Sequence, residues 1–304
     1  MGYINAILIL GGINVIAVLG MAILTGYTGL FSIGHAGFMA LGGYMTAVLY
    51  MAVKIPFPIA LILGGLFSGG CSFVIGYPAF RTRLRGDYFA IATLGFSEAV
   101  RLILNNTYPI IGGSYGFTGI PQLTNLPIVL GATLLAVWFA HNFVTSQHGK
   151  NCAAISEDEV AAEMMGVNLM RTKLTALFIS AFYAGIAGGL LGFYMAYLTP
   201  SFFSISRSSD LLAAVVFGGV HSLIGPFLTG FLLVVVPELL RFFAEWRLIV
   251  YGALFVVIMV FRPQGLLGYT EINLTAFRGW LARLTRKKPT GVDDVKDVRG
   301  DGLS

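Results

Sequence analysis

Three groups of residues in this 304-residue chain have types and spacings that chemistry can use. Glu98 and Arg101, in LGFSEAVRLIL, lie three apart, so on a helix they share a face and can pair. Beside a water-filled route such a pair would meet a passing solute. Between helices it would fix packing, because pairing lowers the cost of charge in apolar surroundings. His35 and His221 each stand in a stretch rich in Gly and Ser; as proton carriers they would titrate near neutral pH, and as structural residues they would hydrogen-bond. The third group is SEDEVAAEMMGVN, Ser156 to Asn168, with four acids within eight residues. Ser156 and Glu159 have capping-box spacing, Glu157 and Asp158 favour the positive end of a helix, and Gly166 and Asn168 suit its end. Val160, Met164 and Val167 recur at helical spacing, which predicts a short amphipathic surface helix whose apolar stripe is open to a partner.

Other chemistries are missing. No GxxxxGK[ST] phosphate loop, no HExxH and no metal-spaced cluster of His, Cys and acids occurs, so neither ATP hydrolysis by that route nor metal catalysis is expected. No catalytic residue, no metal ligand and no nucleic-acid partner is assigned. Cys71 and Cys152 are too few for a disulfide framework and read as buried or reduced thiols. GGSYGFTGIP, Gly112 to Pro121, reads as an ordered outer loop rather than a nucleotide cradle.

The elements that must position these residues lie in a bilayer. Only 11% of residues are charged and 57% are hydrophobic, against about 25% charged in soluble domains. With about 20 apolar residues per span, nine segments qualify: 4–24, 36–53, 57–80, 88–106, 126–144, 173–196, 211–222, 224–241 and 248–262. The first has no preceding basic residue or convincing cleavage site and reads as a retained helix. The seventh runs into the eighth through SLIGP, Ser222 to Pro226, so that pair is expected to be broken or re-entrant. The expected fold is an all-α polytopic membrane protein of about nine transmembrane or broken helices.

Orientation follows from the cations. With nine crossings, one set of loops and the tail hold 14 Lys and Arg and the other set holds 4, which places the acidic stretch and the C-terminus in the cytoplasm. Residues 1–268 would form the transmembrane domain, with a cytoplasmic loop at 146–173, and 269–304 a cytoplasmic tail. In that tail WLARLTRKKP, Trp280 to Pro289, is a basic amphipathic patch suited to anionic lipid, followed by sequence of disordered composition.

The 39 glycines are about twice the usual share, and many are grouped. Gly185 with Gly189 and Gly188 with Gly192 make overlapping GxxxG pairs, which marks the sixth span as a packing helix. Two further stretches break their helices: GYTGLFSIGHAGF, Gly26 to Phe38, and FGGVHSLIGPFLTG, Phe217 to Gly230. Irregular backbone at membrane depth must be buried in protein or line water. Two breaks of similar texture in opposite halves suggest an internal pseudo-repeat meeting at a central pathway. Ser32, Gly34 and His35 from the first, His221, Ser222 and Gly225 from the second, and Glu98 and Arg101 are the candidates to line it. Asp210 is expected to cap the seventh helix.

EVAAEMMGVN, Glu159 to Asn168, resembles the E-x-A-A-x-x-x-G coupling-helix motif of ABC importer permeases, the surface that inserts into a cleft of the ATPase. With GYTGLFSIGHAGFMALGGY, RGDYFAIATLGFSEAVRL, GGSYGFTGIP, FGGVHSLIGPFLTG and FRPQGLLG in the same order, the chain resembles LivM-type permeases of branched-chain amino acid ABC importers. The resemblance implies that Glu159, Ala161, Ala162 and Gly166 dock the ATPase. It implies a bacterial inner-membrane heterodimer of this chain with a second permease, two cytoplasmic ATPase subunits and a periplasmic binding protein. ATP would be used by the ATPases, with no cofactor bound by this chain and no enzymatic activity in it. Leucine, isoleucine or valine is the solute implied, and related permeases carry urea, short amides and other amino acids. There are departures: Asn151, Cys152 and Ser156 stand where Arg is common, and His221 and Leu223 differ from the residues usual there. A secondary transporter or channel would explain the broken helices but leave the surface helix without a role. A membrane enzyme would need an ionisable cluster, and the close pair inside a span is Glu98 with Arg101.

Overall fold

The computed structural model describes residues 2–84, 86–239 and 252. Regular structure among them is helical except for one two-residue ladder. Helix α1 (Gly2–Met21) runs into a π-helical turn, Ala22–Gly26, and is followed by α2 (His35–Met51), α3 (Phe57–Arg81), α4 (Asp87–Asn106) and α5 (Tyr108–Ile111). Then come α6 (Leu126–Thr145), α7 (Gln147–Glu157), α8 (Glu159–Met164), α9 (Leu169–Met195), α10 (Ile205–Gly218) and α11 (Ile224–Leu239).

Four of these, α1 with its π turn, α3, α6 and α9, are long and apolar enough to cross a membrane. Helix α4 occupies the expected fourth segment but carries charge, and α2, α10 and α11 have 17, 14 and 16 residues, below a full span. The expected ninth segment, 248–262, apart from Gly252, and the tail with its WLARLTRKKP patch lie outside the described residues.

Helix α9 packs against α1, α2 and α3, and its glycines are the reason. A side chain at Gly42 of α2 would run into the backbone of Gly185, and one at Gly188 into the backbone of Met39. On α3, Gly65 and Gly69 give way to the rings of Phe182 and Phe178. Ser68 Oγ, buried, lies 2.8 Å from the Phe38 carbonyl oxygen and 3.0 Å from that of Ala181, so one hydroxyl serves α2 and α9 together. Small residues thus replace hydrophobic burial as the means of helix association. The packing helix expected from the GxxxG pairs is this one.

Asp210 does not cap a helix. Helix α10 begins five residues earlier, at Ile205, because the 3₁₀ turn Pro200–Phe203 and the extended Ser204 set its start there. Gly112–Pro121 is an ordered loop, as expected. Its Gly112, Gly113, Gly116 and Gly119 take positive φ. Phe117–Thr118 pairs antiparallel with Tyr197–Leu198, and Tyr197 Oη donates to the Tyr115 carbonyl at 2.9 Å.

Candidate docking and pathway site

The acidic stretch is built as two helices. Asp158, with extended backbone (φ −154°, ψ 114°), separates α7 from α8, and its carboxylate accepts from the N–H groups of Val160 at 2.7 Å and Ala161 at 3.0 Å. The capping box expected from Ser156 is not formed. Ser156 belongs to the last turn of α7, where its hydroxyl donates to the Ala153 carbonyl at 2.7 Å. Glu159, the other half of that box, instead accepts from Lys173 Nζ at 2.6 Å. Because Lys173 is only 6% exposed, this pair ties α8 to the base of α9. Glu163 also meets Arg83, at 3.4 Å, but both side chains are exposed and such a pair contributes little.

The end of α8 is equally defined. Gly166 N–H donates to Glu163 O and Val167 N–H to Ala162 O, both at 3.0 Å, which is a Schellman motif with Gly166 (φ +86°) as its left-handed residue. Between these ends Val160, Met164 and Met165 are 59%, 83% and 86% exposed, an apolar face that the described residues leave open. Ala161 is exposed but Ala162 is buried against its own chain, so of the two expected docking alanines only Ala161 can meet a partner. Cys152 lies buried beneath α7, and burial pushes its thiol up to about 12.

Sequence reasoning missed two contacts of this surface. Lys173 had no signal, since nothing in its spacing marks a partner 14 residues back. Gly29, in the first break, has positive φ (+67°), and a Cβ there would sit 3.5 Å from Ser156 Cβ. A shallow open cleft runs between Thr28–Gly29 and Ile155–Val160. The first break therefore touches the corner that joins α7 to α8.

The break residues are packed inward. Ser32 and His35 are fully buried; Ser32 Oγ accepts from Gly34 N–H at 3.3 Å, and His35 Nε2 lies 2.6 Å from Ser180 Oγ on α9. The other imidazole nitrogen, Nδ1, is buried without a partner. Thr93 Oγ1 accepts from Ile33 N–H at 3.1 Å and Ser208 Oγ from Ala36 N–H at 2.9 Å, so α4 and α10 satisfy backbone that the irregular chain leaves open. Gly34 allows this: a Cβ there would lie 2.7 Å from the Thr93 carbonyl oxygen.

In the second break Ser222, also buried, accepts from Gly225 N–H at 3.3 Å, and Gly225 packs on the Gly218 backbone so that α11 folds back on α10. The breaks meet, with Gly26 against the Val220 carbonyl and Tyr27 edge-on to the half-buried His221 at 6.5 Å. Glu98 and Arg101 form the expected pair, with Arg101 Nε and Nη2 donating to Glu98 Oε2 at 2.9 and 2.6 Å. Among the described residues this pair lies within α4 and makes no hydrogen bond or ion pair to another helix; its side chains stay 22% and 38% exposed. Among the described residues, no three His, Cys, Asp or Glu side chains come together to hold a metal.

Residues 3–259 match the family described as "Branched-chain amino acid transport system / permease component". The chain is 34% identical over 301 residues to the high-affinity branched-chain amino acid transport system permease protein LivM of Escherichia coli, covering 88% of this chain and 70% of that protein. It is 28% identical over 185 residues to LivH of Salmonella typhimurium, covering 60% and 59%, and 25% identical over 234 residues to a probable LivM of Methanocaldococcus jannaschii, covering 68% of each. No solved structure matches. Glycine-packed apolar helices agree with this likeness, and the chain belongs to the LivM type of the branched-chain amino acid transport permeases.

Proposed function

We propose that this chain forms half of the translocation pathway of an ABC importer for leucine, isoleucine and valine. It pairs with a second permease, is driven by two cytoplasmic ATPase subunits, and receives its solute from a periplasmic binding protein. It is a multi-pass transport permease and not an enzyme. The finer arrangement is part of the proposal: about nine spans over residues 1–268, a pseudo-repeat at the two breaks, a C-terminal tail over 269–304, and both α8 and that tail on the cytoplasmic side of a bacterial inner membrane. The cation asymmetry of the loops supports this orientation.

The observation that carries the reading is the exposed face of α8, Val160, Met164 and Met165 beside Ala161, on a helix fixed by Asp158, Lys173 and the Gly166 turn. Apolar area of this kind on a rigid surface helix suits a partner's groove. A push on α8 would reach Gly29 through the Ser156 corner, then Gly26 and Tyr27, and so Val220 and His221 of the second break. That route lets ATP-driven closure of the ATPases bias two packings of the helices around the breaks. Ser32, His35 and Ser222 act in it as braces of the wall, while the Glu98–Arg101 pair stays partly exposed on α4. The test is uptake of labelled leucine, urea and an acidic amino acid, each with its cognate binding protein, together with co-purification of ATPase subunits. Leucine uptake with retained ATPases supports the proposal. Uptake confined to urea removes the solute, and ATP-independent uptake removes the importer.

A further inference from the structure

Three helices turn broad faces away from the body of the chain, and they differ in chemistry. Helix α3 exposes Ile62, Leu66, Phe73 and Val74, and α6 exposes Leu130, Leu134, Leu135 and Trp138. Neither carries a charged residue before Arg81, the last residue of α3. Helix α4 exposes Tyr88, Ile91, Leu102 and Ile103 toward its ends and Gly95 and Ala99 at its middle, and it differs from the other two in carrying the Glu98–Arg101 pair there, with side chains 22% and 38% exposed. At 1.5 Å per residue Glu98 stands about 16 Å from the start of α4, near the middle of a hydrocarbon layer about 30 Å thick. Hydrocarbon solvates Ile, Leu, Phe and Val as well as protein does, but a partly exposed ion pair within it is costly unless protein or water faces it. Lipid therefore suits α3, α6 and the apolar ends of α4, but not the middle of α4 around Glu98 and Arg101.

We infer that the outer face of α4, with Ala92, Gly95, Ala99 and the Glu98–Arg101 pair, is the surface on which the second permease subunit seats. This rests on the proposed importer and names the face that assembly uses. Small residues let a partner helix approach closely, and the open sides of Glu98 and Arg101 offer it an acceptor and donors. Helix α10 packs against α4 and exposes Asp210, so the surface unsuited to lipid continues onto a second helix. It also continues toward the docking surface, because α4 starts four residues after Arg83, the partner of Glu163 on α8.

Three exposed glycines make a matched test. Gly70 on α3, Gly95 on α4 and Gly131 on α6 each have no atom within 4 Å of the place a Cβ would take, so leucine fits this chain at all three. The complex, co-expressed whole and purified through a tag on this chain, is assayed for the second permease and the ATPases. Gly95→Leu is expected to lose the second permease, while Gly70→Leu and Gly131→Leu retain it. A cysteine at Ala99 should cross-link to the second permease, and one at Leu134 should not. If Gly95→Leu lowers abundance of this chain, the Ala99 cross-link decides. Retention with Gly95→Leu and no adduct at Ala99, or an adduct between two copies of this chain, overturns the inference. If the unaltered chain brings down no second permease and no ATPase, the importer reading itself fails.

Discussion

Gly166→Asp separates a docking helix from a surface helix that only caps itself. Gly166 has φ +86° and is exposed, and nothing in the chain lies within 4 Å of where a Cβ would be. The folded chain therefore accepts the side chain, and the cost is that of an L-residue in the left-handed region, about 1–2 kcal/mol and less for Asp and Asn than for others. The two Schellman bonds are backbone bonds and survive. A carboxylate at a helix C-terminus adds about 0.3–1 kcal/mol in the exposed, salt-screened limit. A total near 2 kcal/mol is too small to remove a polytopic permease from the membrane, so abundance by immunoblot should stay near normal. A partner cleft receiving Val160, Met164 and Met165 has to pass close to Gly166, and there a buried unpaired carboxylate is strongly unfavourable. Leucine uptake and binding-protein-stimulated ATP hydrolysis in proteoliposomes should therefore be lost, with the ATPases retained poorly on purification. Gly166→Asn has the same backbone and nearly the same shape without the charge, so it shows whether shape or charge is excluded. Normal uptake and normal ATPase retention by Gly166→Asp would refute the docking argument, and disappearance of the permease would refute the small local cost.

Four further outcomes extend the same reasoning. Glu159→Ala leaves the buried Lys173 ammonium without its ion-pair partner, which costs about 3–5 kcal/mol; the melting temperature of the purified complex should fall sharply and recover in Glu159→Leu/Lys173→Met, and equal stability of the single and double variants would count against the anchor. Cys152, its thiol held near 12 by burial, is protonated at neutral pH, so iodoacetamide at pH 8 should label it only after denaturation. With that thiol silent, a cysteine at Ser114 should react with an impermeant reagent from the periplasm and one at Met165 should not, and the reverse labelling would invert the orientation. Ser180→Ala removes the hydroxyl at His35 Nε2 and should cost about 1–3 kcal/mol; loss of uptake at unchanged stability would instead place His35 in transport.

What could be read from the chain was what is local. GxxxG spacing in AGIAGGLLGF predicts contact by itself, because residues three and four apart must share a helix face, and Gly185 and Gly188 do meet α2. The open face at Val160 and Met164 was legible for the same reason. The cap was not: Ser156 and Asp158 are both good N-cap residues, and the choice depended on α7 running on to Glu157 through QHGKNCAAISE, a polar segment with no periodic signal. The roles of the break residues were hidden more deeply. A serine or histidine in a glycine-rich break either lines water or repairs backbone, and composition does not separate the two. The partners that decide it, Thr93, Ser180 and Ser208, lie 60 to 172 residues away in sequence. Those partners take the N–H groups of Ile33 and Ala36 and one nitrogen of His35, so much of the polarity of the first break is spent on holding its own backbone, while α4 keeps a partly exposed charge pair. Charge there costs the chain stability in lipid unless another subunit or water faces it. A pair that among the described residues stays within one helix, and stays partly exposed, is what the proposed second permease would cover.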